Sequence, residues 1–141
     1  MDFWEGKWEA SWPEGDSLGK GINRLSWVMD GKVLQENFQI HQGQGKGFKG
    51  GSFSVFQPKT NTWKQAWADN QGGYYDFTGE FTENKRIFKT AAREVNEIVF
   101  IQRMIFYDIK KDAFTWDWEQ SVDGGKTWSL VWRIDYTRMT E

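Results

Sequence analysis

The chain has 141 residues, a formal net charge of −2 from 18 basic and 20 acidic side chains, one histidine and no cysteine. This balance lacks the basic excess that nucleic-acid binding requires, and it excludes a disulfide framework, a zinc finger and a Cys–His catalytic pair. Aromatic residues make up 18% of the chain, and each buried ring removes roughly 150–250 Å² from water. We therefore predict one domain over residues 1–141, with a core of broad, flat side chains.

Apolar and polar residues alternate almost throughout, which is the pattern of half-buried strands. About ten strands are predicted, at residues 4–12, 21–29, 32–41, 48–57, 63–69, 74–82, 86–93, 98–109, 113–121 and 127–138. Asp30-Gly31, between the second and third strands, predicts a type I′ hairpin turn, because both central positions of that turn need positive φ. The short connections favour an all-β fold, a single antiparallel up-and-down barrel.

The last two strands indicate which side chains point inward, because their two faces differ most. One face of these strands carries Phe114, Trp116, Trp118, Gln120, Trp128, Leu130, Trp132, Ile134, Tyr136 and Arg138. Extending the alternation round the chain adds an apolar interior set of Trp4, Trp8, Leu25, Trp27, Leu34, Phe38, Phe53, Trp63, Trp67, Tyr75, Phe77, Phe88, Phe100 and Met104. It also adds the polar residues Glu36, Gln65, Asp69 and Gln102. Buried polar groups need partners, which can be each other, water or a ligand.

Apolar walls with a few convergent polar groups are typical of small-molecule sites, and a barrel of this size has room for a ligand. We expect a non-catalytic carrier or sensor for a largely apolar, aromatic or acyl molecule. The predicted walls are Trp8, Trp27, Phe38, Trp67, Tyr75, Trp116, Trp118 and Trp132. The predicted orienting residues are Glu36, Gln65, Gln102, Gln120, Tyr136 and Arg138. Among these, Arg138 is the natural partner for a carboxylate head group.

Two other functions stay open. A cofactor-free cyclase, isomerase or hydratase would use Glu36 or Asp69 as an interior base. A carbohydrate-binding module would instead display exposed indole rings. The pair Asp117 and Glu119 lies on a face predicted to be outward and solvated, so we predict no catalytic residue there. We also predict no metal site.

Two local patterns resemble known motifs. The segment SVDGGKTW, residues 121–128, resembles the Asp-box, a structural hairpin in which an aspartate binds the amides of the turn. The stretches FWEGKW, SWVMDGKVLQENF, WKQAWAD and the closing WRIDYTR are similar to small lipocalin-like, calycin-type barrels classed as a domain of unknown function. That resemblance covers nearly the whole chain. It implies a closed barrel of the lipocalin and fatty-acid-binding-protein type with an internal cavity.

Gly6-Lys7-Trp8 is also similar to the haem-binding nitrobindins, in which a histidine late in the chain holds the iron. Here the only histidine is His41, so we predict no haem and no other cofactor.

No segment approaches the roughly 18 apolar residues of a membrane helix. The start, MDFWEGKWEASW, has neither the basic nor the apolar region of a secretory signal. We therefore expect a cytoplasmic protein whose partner is a small apolar molecule, without nucleic-acid binding or membrane insertion. A homodimer stays open.

Overall fold

The computed structural model describes residues 1–140, and nearly all of its regular structure is β-strand. A short 3₁₀ helix, Asp2–Trp4, precedes the first strand. The strands are β1 (Gly6–Glu14), β2 (Ser17–Val28), β3 (Val33–Gln42), β4 (Lys49–Gln57), β5 (Thr62–Asp69), β6 (Tyr74–Phe81), β7 (Arg86–Lys89), β8 (Arg93–Val95), β9 (Ile98–Tyr107), β10 (Ala113–Ser121) and β11 (Ser129–Arg138). Within residues 1–140, no helix has the length and apolar character needed to cross a membrane.

Ten of these strands form a closed antiparallel barrel. Their order is β10-β11-β1-β2-β3-β4-β5-β6-β7-β9, and β9 pairs again with β10 to close the ring. The remaining strand, β8, forms a hairpin with β9 outside the ring. Because successive barrel strands are neighbours, the fold is the predicted up-and-down barrel, with the architecture of lipocalins and fatty-acid-binding proteins.

The turn between β2 and β3 has the predicted positive φ at both central residues, but Met29 before them also has a positive φ of 54°, and strand pairing stops at Val28 and Val33. Asp30 and Gly31 have φ values of 60° and 73°, and the backbone N–H of Lys32 donates to the carbonyl oxygen of Met29 at 3.2 Å. Glycine adopts positive φ without steric cost, and aspartate tolerates it better than most residues. The local sequence therefore sets the hairpin that aligns β2 with β3.

One end of the barrel is closed by the 3₁₀ helix. Phe3 packs edge-on against Phe106 and Phe114, with centroid distances of 5.9 and 5.5 Å. Trp4 is buried, and its carbonyl oxygen accepts a hydrogen bond of 2.8 Å from Trp8 Nε1. This half of the interior is filled with side chains, so any internal space lies toward the other end.

Two strands differ from the predicted inward face. On β4, Phe53 is 46% exposed, whereas Ser52 and Ser54 are buried, so the prediction that Phe53 points inward is wrong. On β11, the register shifts by one residue opposite the step from Trp118 to Glu119. A bulge of this kind reverses the alternation of the strand. As a result Leu130 is 49% exposed, contrary to the prediction.

Candidate functional site

A cavity of about 190 Å³ lies inside the barrel, toward the end that bears the loops after β3 and β5. Most of its lining is aromatic, and the polar lining residues are few. The lining residues are Trp4, Glu36, Phe38, Phe48, Gln65, Trp67, Asp69, Tyr75, Phe77, Met104, Trp116, Trp118, Trp132, Ile134 and Tyr136. An apolar wall with a few polar groups is the usual composition of a small-molecule site.

Seven of the lining side chains follow one another round the cavity, and we call them the aromatic belt. Its members in order are Phe38, Phe48, Trp67, Tyr75, Trp118, Trp116 and Trp132. Neighbouring ring centroids are 5.3 to 6.4 Å apart, within the range of favourable aromatic pairs. At the remaining step, Trp67 and Tyr75 are directly paired residues of β5 and β6. Two steps, Tyr75 to Trp118 and Trp132 to Phe38, join strands that are not neighbours in the sheet, so these rings meet across the barrel interior.

The position of Trp67 depends on a glycine of the neighbouring strand. A Cβ atom at Gly50 of β4 would overlap the six-membered ring of Trp67, so only glycine lets the indole lie against that backbone. Phe48 stacks on the same indole, with a centroid distance of 6.3 Å and an interplanar angle of 18°. The indole N–H donates to Asp69 Oδ2 at 3.0 Å. These three contacts fix one side of the belt.

A row of hydrogen-bonded polar side chains crosses the inner wall of β2 to β5, and we call it the polar stripe. Glu36 accepts hydrogen bonds from Asn23 Nδ2 at 2.8 Å and from Ser52 Oγ at 2.7 Å. On the next strands, Gln65 Nε2 donates to Ser54 Oγ at 2.9 Å. All five residues are buried, and Glu36 is only 7% exposed. Glu36 and Gln65 bring the stripe to the cavity surface.

The Glu36 carboxyl is the most strongly perturbed acid of the cavity. Burial raises the pKa of Glu36 to about 7, although the hydrogen bonds from Ser52 and Asn23 act in the opposite direction. Burial and then the nearby Glu36 carboxylate raise the pKa of Tyr136 well above its ordinary value. Tyr136 is therefore a neutral hydroxyl, whereas Glu36 changes charge close to neutral pH.

A second carboxylate, Asp69, lies at the edge of the cavity and titrates differently. Burial opposes its ionisation, but hydrogen bonds from the Trp67 indole and from the backbone N–H groups of Gly73 and Gln71 lower the pKa of Asp69 below its ordinary value. Asp69 is therefore ionised at neutral pH. Its hydrogen bonds also tie the loop after β5 to the belt.

Nine of the fourteen predicted site residues line this cavity. They are Glu36, Phe38, Gln65, Trp67, Tyr75, Trp116, Trp118, Trp132 and Tyr136. All nine lie on the strand faces that period-2 alternation predicts to point inward.

Four further predicted site residues lie away from the cavity lining, which corrects the prediction. Trp8 is fully buried in the closed half, beneath the carbonyl of Trp4. Trp27 is half-buried near the end of β2, close to the turn that leads to β3. It packs against the core there. Gln102 and Gln120 are paired across β9 and β10, and both are half-buried. Alternation fixes the inward face of a strand but not the height of a residue along the barrel.

Arg138 has the predicted inward phase, since it pairs with the buried Trp8, but it lies at the closed end of the barrel and not in the cavity wall. Its guanidinium donates to the carbonyl oxygens of Glu5 at 2.7 Å, Phe3 at 3.1 Å and Lys111 at 3.1 Å. It also lies 4.2 Å from the ring centroid of Trp8, where cation–π attraction is favourable. β11 ends at Arg138, so this side chain turns over the closed end of the barrel and fastens the segment before β1.

The interpretation of Asp117 as a solvated outward residue is wrong in part. Asp117 does face outward, but its side chain is only 6% exposed. Arg133 holds both carboxylate oxygens, with Nε to Oδ1 at 2.8 Å and Nη2 to Oδ2 at 2.9 Å. The Tyr107 hydroxyl lies 3.2 Å from both oxygens. Glu119 is paired with Arg103 at 2.8 Å. Each carboxylate is therefore engaged in its own ion pair.

Four residues of the site were not predicted from the sequence. Asn23, Ser52 and Ser54 belong to the polar stripe, and Phe48 belongs to the belt. For Asn23 a signal was available, because it shares the period-2 phase of Leu25 on β2. The inward position of Ser52 was not predicted, because its neighbour Phe53 is more hydrophobic and was expected to point inward instead.

The tryptophans and the acidic groups bear on the other functions considered. All ten tryptophans are buried or half-buried, so the exterior presents no fully exposed indole for stacking on a sugar. In residues 1–140, no group of three or more His, Asp or Glu side chains is arranged to hold a metal ion. No protein-family model matches the chain, and no match was found among curated proteins.

Proposed function

We propose that the barrel binds a small, largely apolar molecule within the aromatic belt. The observation that supports this most is the cavity itself, about 190 Å³ lined by a continuous series of aromatic rings with one polar wall. Pockets for drug-sized ligands measure roughly 300–1,000 Å³, whereas a cavity of about 150 Å³ accommodates benzene. A ligand of one or two rings fits this size. In this proposal the belt supplies apolar contact, and the polar stripe orients the bound molecule.

The test is a titration with 2-phenylethanol, a neutral one-ring probe, monitored by the indole N–H resonances in ¹H–¹⁵N NMR spectra. We expect saturable shifts for Trp67, Trp116, Trp118 and Trp132, and no shift for Trp27. Trp132→Phe should change the Kd by about tenfold, and the matched variant Trp27→Phe should leave it unchanged. The absence of shifts, or equal effects of the two variants, would overturn the proposal.

A second candidate function is supported by Glu36. A carboxyl group with a pKa of about 7 inside an apolar cavity suits proton transfer at neutral pH. A cofactor-free isomerase or cyclase would use Glu36 as base and the neutral Tyr136 hydroxyl as donor. This candidate requires a carboxyl that titrates well above its ordinary range. If ¹³C-detected NMR titration finds none, the enzyme candidate is abandoned.

Location and assembly are further parts of the proposal. We propose a cytoplasmic protein, which fractionation of cells that express the full chain would test. A homodimer stays open, and light scattering during size-exclusion chromatography distinguishes it from a monomer.

A further inference from the structure

The ionisable side chains that line the cavity include acids but no basic residue. Two carboxylates, Glu36 and Asp69, are among its lining residues, and in the described residues 1–140 no lysine, arginine or histidine lines it. Asp69 is supplied with hydrogen bonds from its own loop. Glu36 has only the neutral donors Asn23 and Ser52. A buried carboxylate is normally paired with a cation, because its ionised form is costly to remove from water.

This charge disfavours an acidic ligand. Arg138, the cation predicted for a carboxylate head group, is held at the closed end by three carbonyl oxygens. A fatty acid or another carboxylate in the cavity would meet Glu36 and Asp69 without a counterion. Like charges in a partly desolvated site repel strongly, so the acyl ligand considered from the sequence is the less favoured class.

We propose that the ligand carries a protonated nitrogen, such as a primary ammonium attached to an aromatic or short alkyl body, and that Glu36 is its counterion. This inference rests on the proposed function, since it names the chemical class that the same cavity takes. The Glu36 carboxylate has about four acceptor positions. Asn23 and Ser52 use two, which leaves acceptor capacity for the ligand.

The aromatic belt suits the same class of ligand. The faces of tryptophan and tyrosine rings attract cations, an effect worth about 2 kcal/mol or more when the pair is desolvated. Trp116 and Trp118 are parallel within 3° on β10, and Trp132 meets Trp116 at 89°. The cavity therefore presents indole rings in two orientations beside the Glu36 carboxylate, and a cation that lies over a ring face gains this attraction. The apolar body of the ligand fills the remaining space.

The experiment compares three probes that share one phenyl ring and a short chain: 2-phenylethylammonium, 2-phenylethanol and 3-phenylpropanoate. Each is titrated at pH 8 into the wild-type chain by isothermal calorimetry and indole NMR. We expect the ammonium to bind about tenfold or more tighter than the alcohol, and the carboxylate to bind more weakly than both. Equal affinity of the alcohol and the ammonium, or tighter binding of the carboxylate, overturns the inference. If none of the three shifts the belt indoles, the proposed function itself fails.

Glu36→Gln then identifies the counterion. Glutamine keeps the shape, accepts from Asn23 and donates to Ser52 Oγ, but it carries no charge. We expect the ammonium to lose its tenfold advantage in this variant while the alcohol binds as in the wild type. Asp76→Asn is the charge-matched control, because Asp76 pairs with Lys64 on the barrel exterior. An ammonium preference that persists in Glu36→Gln overturns the assignment. If that variant does not fold, the order of the three probes on the wild type decides alone.

Discussion

The buried carboxyl of Glu36 makes the stability of the barrel depend on pH, and Glu36→Gln should remove that dependence. A buried acid whose pKa is raised binds its proton more tightly in the folded chain than in the unfolded chain. Between the two pKa values the unfolded chain is ionised while the folded chain keeps the proton. Folding stability from this group is therefore complete below the unfolded pKa and is lost as the pH rises through the folded pKa.

The size of the effect follows from the shift. The pKa of Glu36 rises from 4.5 to about 7 on folding. One pKa unit corresponds to about 1.4 kcal/mol, so the group should weaken the fold by about 3 kcal/mol across this window. Most of the loss falls between pH 5 and pH 8. That is a large fraction of the roughly 5–15 kcal/mol that stabilises a typical domain.

Urea unfolding of the wild type and of Glu36→Gln, at half-unit steps from pH 4.5 to pH 8, measures this contribution. When the unfolding free energy of one chain is subtracted from that of the other, the effects of the other carboxyls cancel, because both chains contain them. We expect that difference to shift in favour of the variant by about 3 kcal/mol over the window and then to become level. Asp76→Asn should show no such trend. A difference between wild type and Glu36→Gln that is independent of pH would refute the reasoning.

Three other substitutions have definite expected outcomes. Gly50→Ala should displace the Trp67 ring and destabilise the fold by about 1–3 kcal/mol; a Trp67 indole resonance at its wild-type position would contradict this. Arg133→Gln leaves the nearly buried Asp117 without a counter-charge, and urea unfolding should show a loss of about 1–3 kcal/mol, whereas no loss would mean that the pair is dispensable. Asp123→Ala removes the carboxylate that accepts hydrogen bonds from backbone N–H groups in the turn before β11. Because hydrogen bonds hold the pKa of Asp123 below its ordinary value, the loss in thermal stability should be present at pH 7 and shrink below about pH 4; equal losses at pH 3 and pH 7 would contradict that cause.

The sequence was sufficient for the barrel and for most of the cavity wall. Period-2 alternation is a property of the strand backbone, so Trp116, Trp118 and Trp132 could be assigned to the inner face without knowledge of their partners. The Asp30-Gly31 turn is equally local. These features depend on each strand alone, which is why they were predictable.

The inward phase of Glu36 and Gln65 was predictable, but the hydrogen bonds of the polar stripe were not, because they depend on which strands pair and in what register. Ser52 points inward where it can donate to Glu36 on β3, and Phe53 is exposed as a consequence. The hydrophobicity of β4 alone predicts the opposite arrangement, with Phe53 inside and Ser52 outside. Arg138 illustrates a different limit, because alternation does not show where the barrel ends. Arg138 is the last residue of β11, so its inward-directed side chain lies at the closed rim and not in the cavity.

The most direct test of a ligand-binding cavity is a crystal structure of the wild-type chain grown at pH 8 with saturating 2-phenylethylammonium. We expect the phenyl ring inside the aromatic belt and the nitrogen within hydrogen-bonding distance of the Glu36 carboxylate. A probe that lies only on the barrel exterior, with the cavity free of it at saturation, would contradict the proposal that the barrel binds small molecules in its interior.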